Sequence, residues 1–261
     1  MQLPLYQVDA FTDQRFAGNP AAVCVLDAWL PEATMQAIAA ENNLAETAFV
    51  VPNGERYDIR WFTPTAEVAL CGHATLASAK VLLDHYHPRR RLQHFDTRLS
   101  GPVSVAKEGE WYVLDFPADM PAAVAAPQEL FEALRTDAVP VFKGKTDLVV
   151  LYPDEQAVLD LNPDIRALER IDARGVICTA PGDDVDFVSR FFAPAVGVDE
   201  DPVTGSAHTA LTPFWAERLG KPVLDARQRS QRGGTLKVEY RGDRVLLKGQ
   251  GVEYLRGQIT V

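Results

Sequence analysis

The sequence predicts an α+β protein built from two pseudo-symmetric halves, each a mostly antiparallel sheet curled round one apolar helix. Three observations carry that reading. Strand-like runs outnumber helical ones along the chain. Each half holds a single long helix that is short of charge. The third is an internal repeat, because Thr204-Gly205-Ser206-Ala207 sets under Cys71-Gly72-His73-Ala74 at an offset of 133 (205 minus 72). Upstream, Arg60-Trp61-Phe62-Thr63-Pro64 pairs with Arg190-Phe191-Phe192-Ala193-Pro194, and Phe49-Val50-Val51-Pro52 with Val176-Ile177-Cys178-Thr179-Ala180-Pro181. Three matches in order at nearly constant offset indicate a duplicated unit. Each half then offers one helix start whose first amides lack partners and carry partial positive charge. A site between the halves could hold one anion with both.

In chain order, 5–10 and 21–26 read as strands flanking the turn Phe16-Ala17-Gly18-Asn19-Pro20. Residues 31–43 form a helix with Pro31 and Glu32 early and Met35, Ile38 and Ala39 on one face. Strands follow at 44–51 and 57–62. The helix over 72–83 carries no charge before Lys80, so it is expected to be buried nearly all round. Residues 95–105 and 111–116 read as strands joined by Lys107-Glu108-Gly109-Glu110, and the Pro- and Ala-rich 120–128 as a linker. This divides the chain into domains at 1–118 and 128–261, with the C-terminal strand able to return to the first. Beyond it come a helix at 129–134, a strand at 147–152, helical pieces at 156–161 and 164–170, and strands at 175–180 and 185–192. The second buried helix, 206–219, is closed by Gly220 and Pro222. Strands at 235–240, 244–248, 252–256 and 258–261 finish the chain. Such an order fits a sheet wrapped round a helix better than alternating βαβ units.

The 261 residues suffice for one large or two ordinary domains, and 47% hydrophobic with 24% charged residues suits a globule with a real core. A net charge of −10 argues against a nucleic-acid or anionic-membrane surface. Arg89-Arg90-Arg91 after Pro88 reads as a solvated loop. No apolar run approaches a membrane span. The start, MQLPLYQVDAF, lacks the basic region of a secretory signal, and Cys24, Cys71 and Cys178 make neither a CxxC nor an even framework. The expectation is a cytoplasmic protein.

Several residues could carry chemistry. Glu46 lies among small and apolar neighbours in Asn43-Leu44-Ala45-Glu46-Thr47-Ala48, where desolvation would make it an acid and base near neutrality; the bland reading is an exposed loop acid. His73, next to Gly72, can donate, accept or carry a proton, though a lone histidine is more often structural. Asp201, three residues before Thr204, either caps the second helix start or aims at a ligand held there. Ser206 and His208 are two apart on a helix and do not face each other, so they are no nucleophile–base pair. Ser206 reads as an anion-binding hydroxyl and His208 as a packed histidine. Cys71 at a helix start could be an activated thiol, but the matching residue is Thr204, which removes a two-thiol racemase. Asp84-His85-x-His87 at an exposed helix end is a poor metal site. The Gly249-Gln250-Gly251 spacing is no Rossmann fingerprint, and no P-loop or G-x-S-x-G occurs.

Together, Asp9-Ala10-Phe11, Gly18-Asn19-Pro20, Asn43-Leu44-Ala45-Glu46-Thr47, Phe62-Thr63-Pro64, Cys71-Gly72-His73-Ala74 and Asp201-Pro202-Val203-Thr204-Gly205-Ser206-Ala207 resemble the PhzF family, the phenazine-biosynthesis-type isomerases and their relatives, over essentially the whole chain. The resemblance implies the diaminopimelate-epimerase-like fold, two barrel-wrapped helices with the site in the cleft between halves. It implies catalysis without cofactor or metal, and often a homodimer. By motif, Glu46 matches the family's proton-shuttling glutamate, His73, Asp201 and Ser206 its other site positions, and Gly72 and Gly205 its helix-start glycines. Cys71 and Thr204 fall beside them as substrate-binding candidates. The phenazine enzyme itself lacks a cysteine at position 71, so its substrate does not carry over. The expected activity is a cofactor-independent proton shift on a small carboxylate-bearing substrate. The alternatives are an epimerase, racemase or dehydratase using Cys71 opposite Thr204, and a non-catalytic binder of small acids.

Overall fold

The computed structural model describes residues 1–261 and divides into two compact units, Met1–Asp115 with Lys248–Val261, and Phe116–Leu247.

In the first unit, β1 (Gln2–Ala10) pairs antiparallel with β2 (Asn19–Val25) on one side and with the C-terminal strand, Gly251–Thr260, on the other. The chain then forms α1 (Glu32–Asn42), β3 (Glu46–Asn53), β4 (Arg56–Phe62), the short β5 (Glu67–Val68), α2 (Gly72–Val81), β6 (Leu92–Thr97), β7 (Pro102–Glu108) and β8 (Trp111–Pro117). Strands β2 and β3 run parallel, and α1 is the crossover that parallel pairing requires. Its buried Met35, Ile38 and Ala39 pack with Cys24, Phe49 and Phe62. Asn43, in the left-handed region at φ 48°, ends it by returning its N–H to Ala39. Helix α2 is buried at every position from His73 to Ala79, as its lack of charge predicts. A glycine on a neighbouring strand lets it approach the helix: a Cβ on Gly249 would lie 2.3 Å from the Phe11 ring and 2.9 Å from Leu76.

Three expectations need correction here. The run 95–105 is two strands, because Thr97 Oγ1 bonds Ser100 N and Gly101 O, and Gly101 at φ +70° closes a turn. The runs 252–256 and 258–261 are one strand, since Gly257 keeps its pairing with Leu5. Helix α2 gives way to a π-helical turn over Leu82–Tyr86, with His87 N–H bonded to Leu82 O at 2.7 Å.

The second unit contains β9 (Ala122–Ala123), α3 (Gln128–Leu134), β10 (Val141–Lys143), β11 (Asp147–Leu151), α4 (Glu155–Leu159), α5 (Ile165–Leu168), β12 (Gly175–Pro181), β13 (Phe187–Phe192), α6 (Gly205–Leu219), β14 (Val223–Gln228), β15 (Gly234–Arg241) and β16 (Arg244–Gly249), which carries the chain back to the first. The Pro- and Ala-rich segment is not wholly a linker, because Ala122 and Ala123 pair with β10. Strand β14 escapes sequence reading because only Leu224, Ala226 and Gln228 are buried in VLDARQ, and one of those is polar. Helices α3, α4 and α5 cover a core that includes Leu130, Val150, Val158, Cys178 and Phe192. Helix α6 runs through Pro213, which cannot donate to the carbonyl of Thr209. Asp119 N–H takes that carbonyl at 3.1 Å, so the defect is satisfied. Trp215 stacks on Phe187 at 5.8 Å and donates to Thr179.

The repeat is a repeat of topology. Strands β2, β3, β4, β6 and β7 pair parallel, antiparallel, parallel and antiparallel in turn. Strands β11, β12, β13, β14 and β15 do the same. Arg60 bonds both oxygens of Glu67 and lies 5.1 Å from the Phe62 ring. Arg190 bonds both oxygens of Glu200 and lies 4.9 Å from the Phe192 ring. The R-x-F-x-P match therefore reflects a guanidinium sandwiched between a ring and a carboxylate in each unit. No helix is long and apolar enough to cross a membrane.

Candidate active site

Glu46 is the first residue of β3, set opposite Ala21 of the neighbouring parallel strand. Helix α2 begins at Gly72 after an extended Cys71 (φ −140°, ψ 114°) whose side chain makes no capping bond. This arrangement delivers His73 to Glu46: Nε2 lies 3.1 Å from the carboxylate oxygen. The imidazole is buried, and the Glu46 side chain keeps 18% exposure, so the carboxylate has one flank on the ring and another open. On the far edge, His73 Nδ1 meets the Asn19 side-chain amide at 3.2 Å and Cys71 Sγ at 3.4 Å. Asn19 is held there by the Gly18 turn, where φ is +65° and a Cβ would strike Ala10 O at 2.2 Å.

Burial by itself would lower the His73 pKa; Cys71 and Glu46 oppose it and hold it well above the ordinary value. Burial pushes the Cys71 thiol up to about 11, with the Glu46 charge acting the same way and His73 opposing it, so the sulfur carries its proton near pH 7. With both ring nitrogens protonated, Nδ1 needs an acceptor, which the Asn19 carbonyl oxygen supplies once the amide is turned toward it. The Glu46, Cys71 and His73 donor atoms all lie within 4.8 Å. Sγ is nevertheless 4.0 Å from the Nε2 that faces Glu46, wider than the roughly 3.6 Å that tetrahedral zinc sets between ligands. The geometry suits an acid–base pair better than a metal cage. The Asp84 cluster is likewise occupied: Asp84 accepts from Lys80, Lys107 and Tyr112, His85 meets Glu253, and His87 meets Tyr57.

In the second unit the same start recurs at Gly205, after an extended Thr204 (φ −113°, ψ 104°) that also makes no side-chain cap. Asp201 Oδ2 accepts from Thr204 Oγ1 at 2.5 Å, so it orients the residue before the helix. The Thr204 N–H goes to the buried Gln228 Oε1 at 2.8 Å, and Gln228 returns a bond to Asp201 O. Ser206 is exposed and accepts from Arg174 at 2.9 Å. His208 faces away, fully buried, with Nδ1 donating to Thr204 O at 2.8 Å, and burial pushes its pKa down to about 4. It is a packed neutral histidine, as its spacing from Ser206 predicts. Glu46, Cys71, Gly72 and His73 thus cluster in the first unit, and Asp201, Thr204, Gly205 and Ser206 in the second. Sequence reasoning placed Asn19 in a motif without giving it a role. It missed Gln228 and Arg174, which become visible only through strand register.

The comparisons decide the family. The model of the phenazine biosynthesis-like proteins matches residues 8–257. The chain belongs to the PhzF family. This PhzF protein is 54% identical, over the full length of both chains, to an uncharacterized isomerase of Pseudomonas aeruginosa. It is 40% identical to phenazine biosynthesis-like domain-containing protein 1 of Mus musculus, again over all of both. A PhzF-family crystal structure from Enterococcus faecalis superposes with a TM-score of 0.97 at 47% identity and full coverage of both chains. A probable proline racemase of Agrobacterium radiobacter, 10% identical, shares the fold at a TM-score of 0.67 over 99% of this chain and 93% of its own. The fold is therefore the α+β, diaminopimelate-epimerase-like one, and the family is one of isomerase-like proteins.

Proposed function

We propose that the protein is a cofactor-independent isomerase that moves a proton on a small carboxylate-bearing substrate, with Glu46 as the proton carrier. The observation that carries this is the Glu46–His73 contact at 3.1 Å, a half-buried carboxylate held on a buried imidazole at a helix start. Glu46 takes a proton from one carbon, leaving the electron pair delocalised toward the substrate's unsaturation, and protonates a second carbon; between the two transfers its carboxyl proton can exchange with solvent through the flank left 18% exposed. Protons balance and no oxidant is needed. The imidazolium of His73 and the first amides of α2 at Gly72 lower the energy of the negative charge that builds up between the two transfers. Asp201, with His73, is assigned to positioning the substrate or assisting proton transfer, and Thr204, Gly205 and Ser206 to holding its polar groups.

A racemase using Cys71 gains no support, because its thiol is buried and pushed up to about 11. The test is solvent-deuterium exchange into small carboxylates bearing an acidic C–H, followed by mass spectrometry. Wild type should exchange a subset of them. Glu46→Gln should lose exchange by about 10²- to 10⁴-fold, the usual contribution of a general acid–base group, while keeping fold and ligand binding. Undiminished exchange in Glu46→Gln overturns the assignment. A wild type that binds a carboxylate but exchanges nothing would be a binding protein.

A further inference from the structure

The duplicated topology aligns two pairs of positions that have diverged in chemistry. Thr47 lies opposite Phe62 and Val176 opposite Phe192, so Glu46 of the first unit corresponds to Gly175 of the second. Gly72 corresponds to Gly205, and hence His73 to Ser206. In the first unit the strand start sends a carboxylate onto the second residue of the helix. In the second, the strand starts at Gly175, and Arg174, the residue before it, reaches the second residue of α6, Ser206. Gly175 cannot take a side chain in place, because a Cβ would lie 2.4 Å from the Phe191 ring.

Arg174 is fixed tightly. Its Nε donates to Asp147 Oδ1 at 2.8 Å, its Nη2 donates to Asp147 Oδ2 and to Ser206 Oγ, and its guanidinium lies 5.5 Å from the Phe191 ring. Asp147 is buried at the start of β11. A guanidinium has five N–H groups, and these contacts use three. The two on Nη1 make no bond within the unit, and the side chain retains 36% exposure. Ser206 is changed by the contact too. Its oxygen accepts from a cation, so its single proton is left to donate outward.

We propose that Arg174 is a specificity-determining positioning residue: clamped by Asp147, it holds Ser206 as an outward hydrogen-bond donor and adds its Nη1 edge, so that the second unit selects a planar carboxylate. The selection is for a monoanion. Asp147 already pairs with the guanidinium through both oxygens, so the Nη1 edge adds directed donors rather than a full free charge, which suits a singly charged carboxylate better than a dianionic phosphate. This deepens the proposed function, because it assigns which residues recognise the acidic group that the reading requires.

The test uses the full chain, with benzoate as probe, benzamide as its neutral isostere and phenylphosphonate as the dianion, followed by the amide resonances of Gly205 and Ser206. In wild type, benzoate should shift both amides and bind at least tenfold more tightly than either analogue. Arg174→Gln should cut benzoate affinity tenfold or more and erase the preference over benzamide. Adding Ser206→Ala to it should cost little further, because the two act as one unit. Removing Arg174 strands the buried Asp147, so the second variant is Asp147→Asn/Arg174→Gln, which leaves no lone charge. A purely structural role predicts that this double variant recovers benzoate selectivity; the proposal predicts that it does not. Recovery, or no benzoate-specific shift in wild type, overturns it. Glu46→Gln should bind benzoate normally, so a failure of proton transfer and a failure of carboxylate recognition are separate outcomes.

Discussion

His208 offers a quantitative check on the packing of α6. The ring is fully buried, spends Nδ1–H on Thr204 O at 2.8 Å, and lies 6.0 Å from the Phe187 ring. Burial lowers its pKa from 6.5 to about 4. An unfolded chain takes up that proton near pH 6.5, whereas the folded unit refuses it until pH 4. The folded pKa is depressed, so this stability is fully present above pH 6.5 and drains away as pH falls. A tenfold change in proton affinity is worth about 1.4 kcal/mol, so the drop from 6.5 to about 4 removes about 3 kcal/mol by pH 4. His208→Asn is the matched variant, because its amide can still donate to Thr204 O but does not titrate. Urea unfolding of both proteins at pH 7, 5.5 and 4.5 isolates the difference in slope. Wild type should lose about 2 to 3 kcal/mol more than the variant between pH 7 and 4.5, all other titrating groups being shared. Parallel slopes would show that the imidazole is not neutral in the core, and the packing argument would fail.

Four further outcomes concern the thiol and the glycines. Cys71→Ala should keep deuterium exchange within about tenfold of wild type, since loss of a true acid–base group costs more. Iodoacetamide at pH 7.5 should label Cys71 slowly, because a thiol at about 11 leaves on the order of one thiolate in a few thousand, and peptide mapping reads this directly. Gly249→Ala should destabilise by about 1–3 kcal/mol through the clash with Phe11 and Leu76. Gly257→Ala, with nothing within 4 Å of its Cβ, should melt like wild type in the same calorimetric scan.

The fold was legible largely through α2 and α6, because a helix short of charge for two or more turns must be wrapped by something apolar. It was legible again through the duplication, because Arg60 and Arg190 each stand two positions before the phenylalanine ring they pack on. Edges were harder. The turn at Arg98–Gly101 and the polar strand β14 depend on partners that no local window contains.

Composition, the repeated helix starts and the family motifs determined by themselves that this is a two-unit α+β protein of the PhzF family, and they singled out Glu46 and His73. Only the tertiary structure decided what those residues touch. Glu46 and His73 are 27 positions apart (73 minus 46), and only the β2–β3 pairing and the start of α2 close that gap to 3.1 Å. Arg174 and Ser206 meet across 32 residues for the same reason. Hydrogen bonds and charge interactions act over a few ångströms in space, while a sequence records only separation along the chain. The register of the strands converts one into the other.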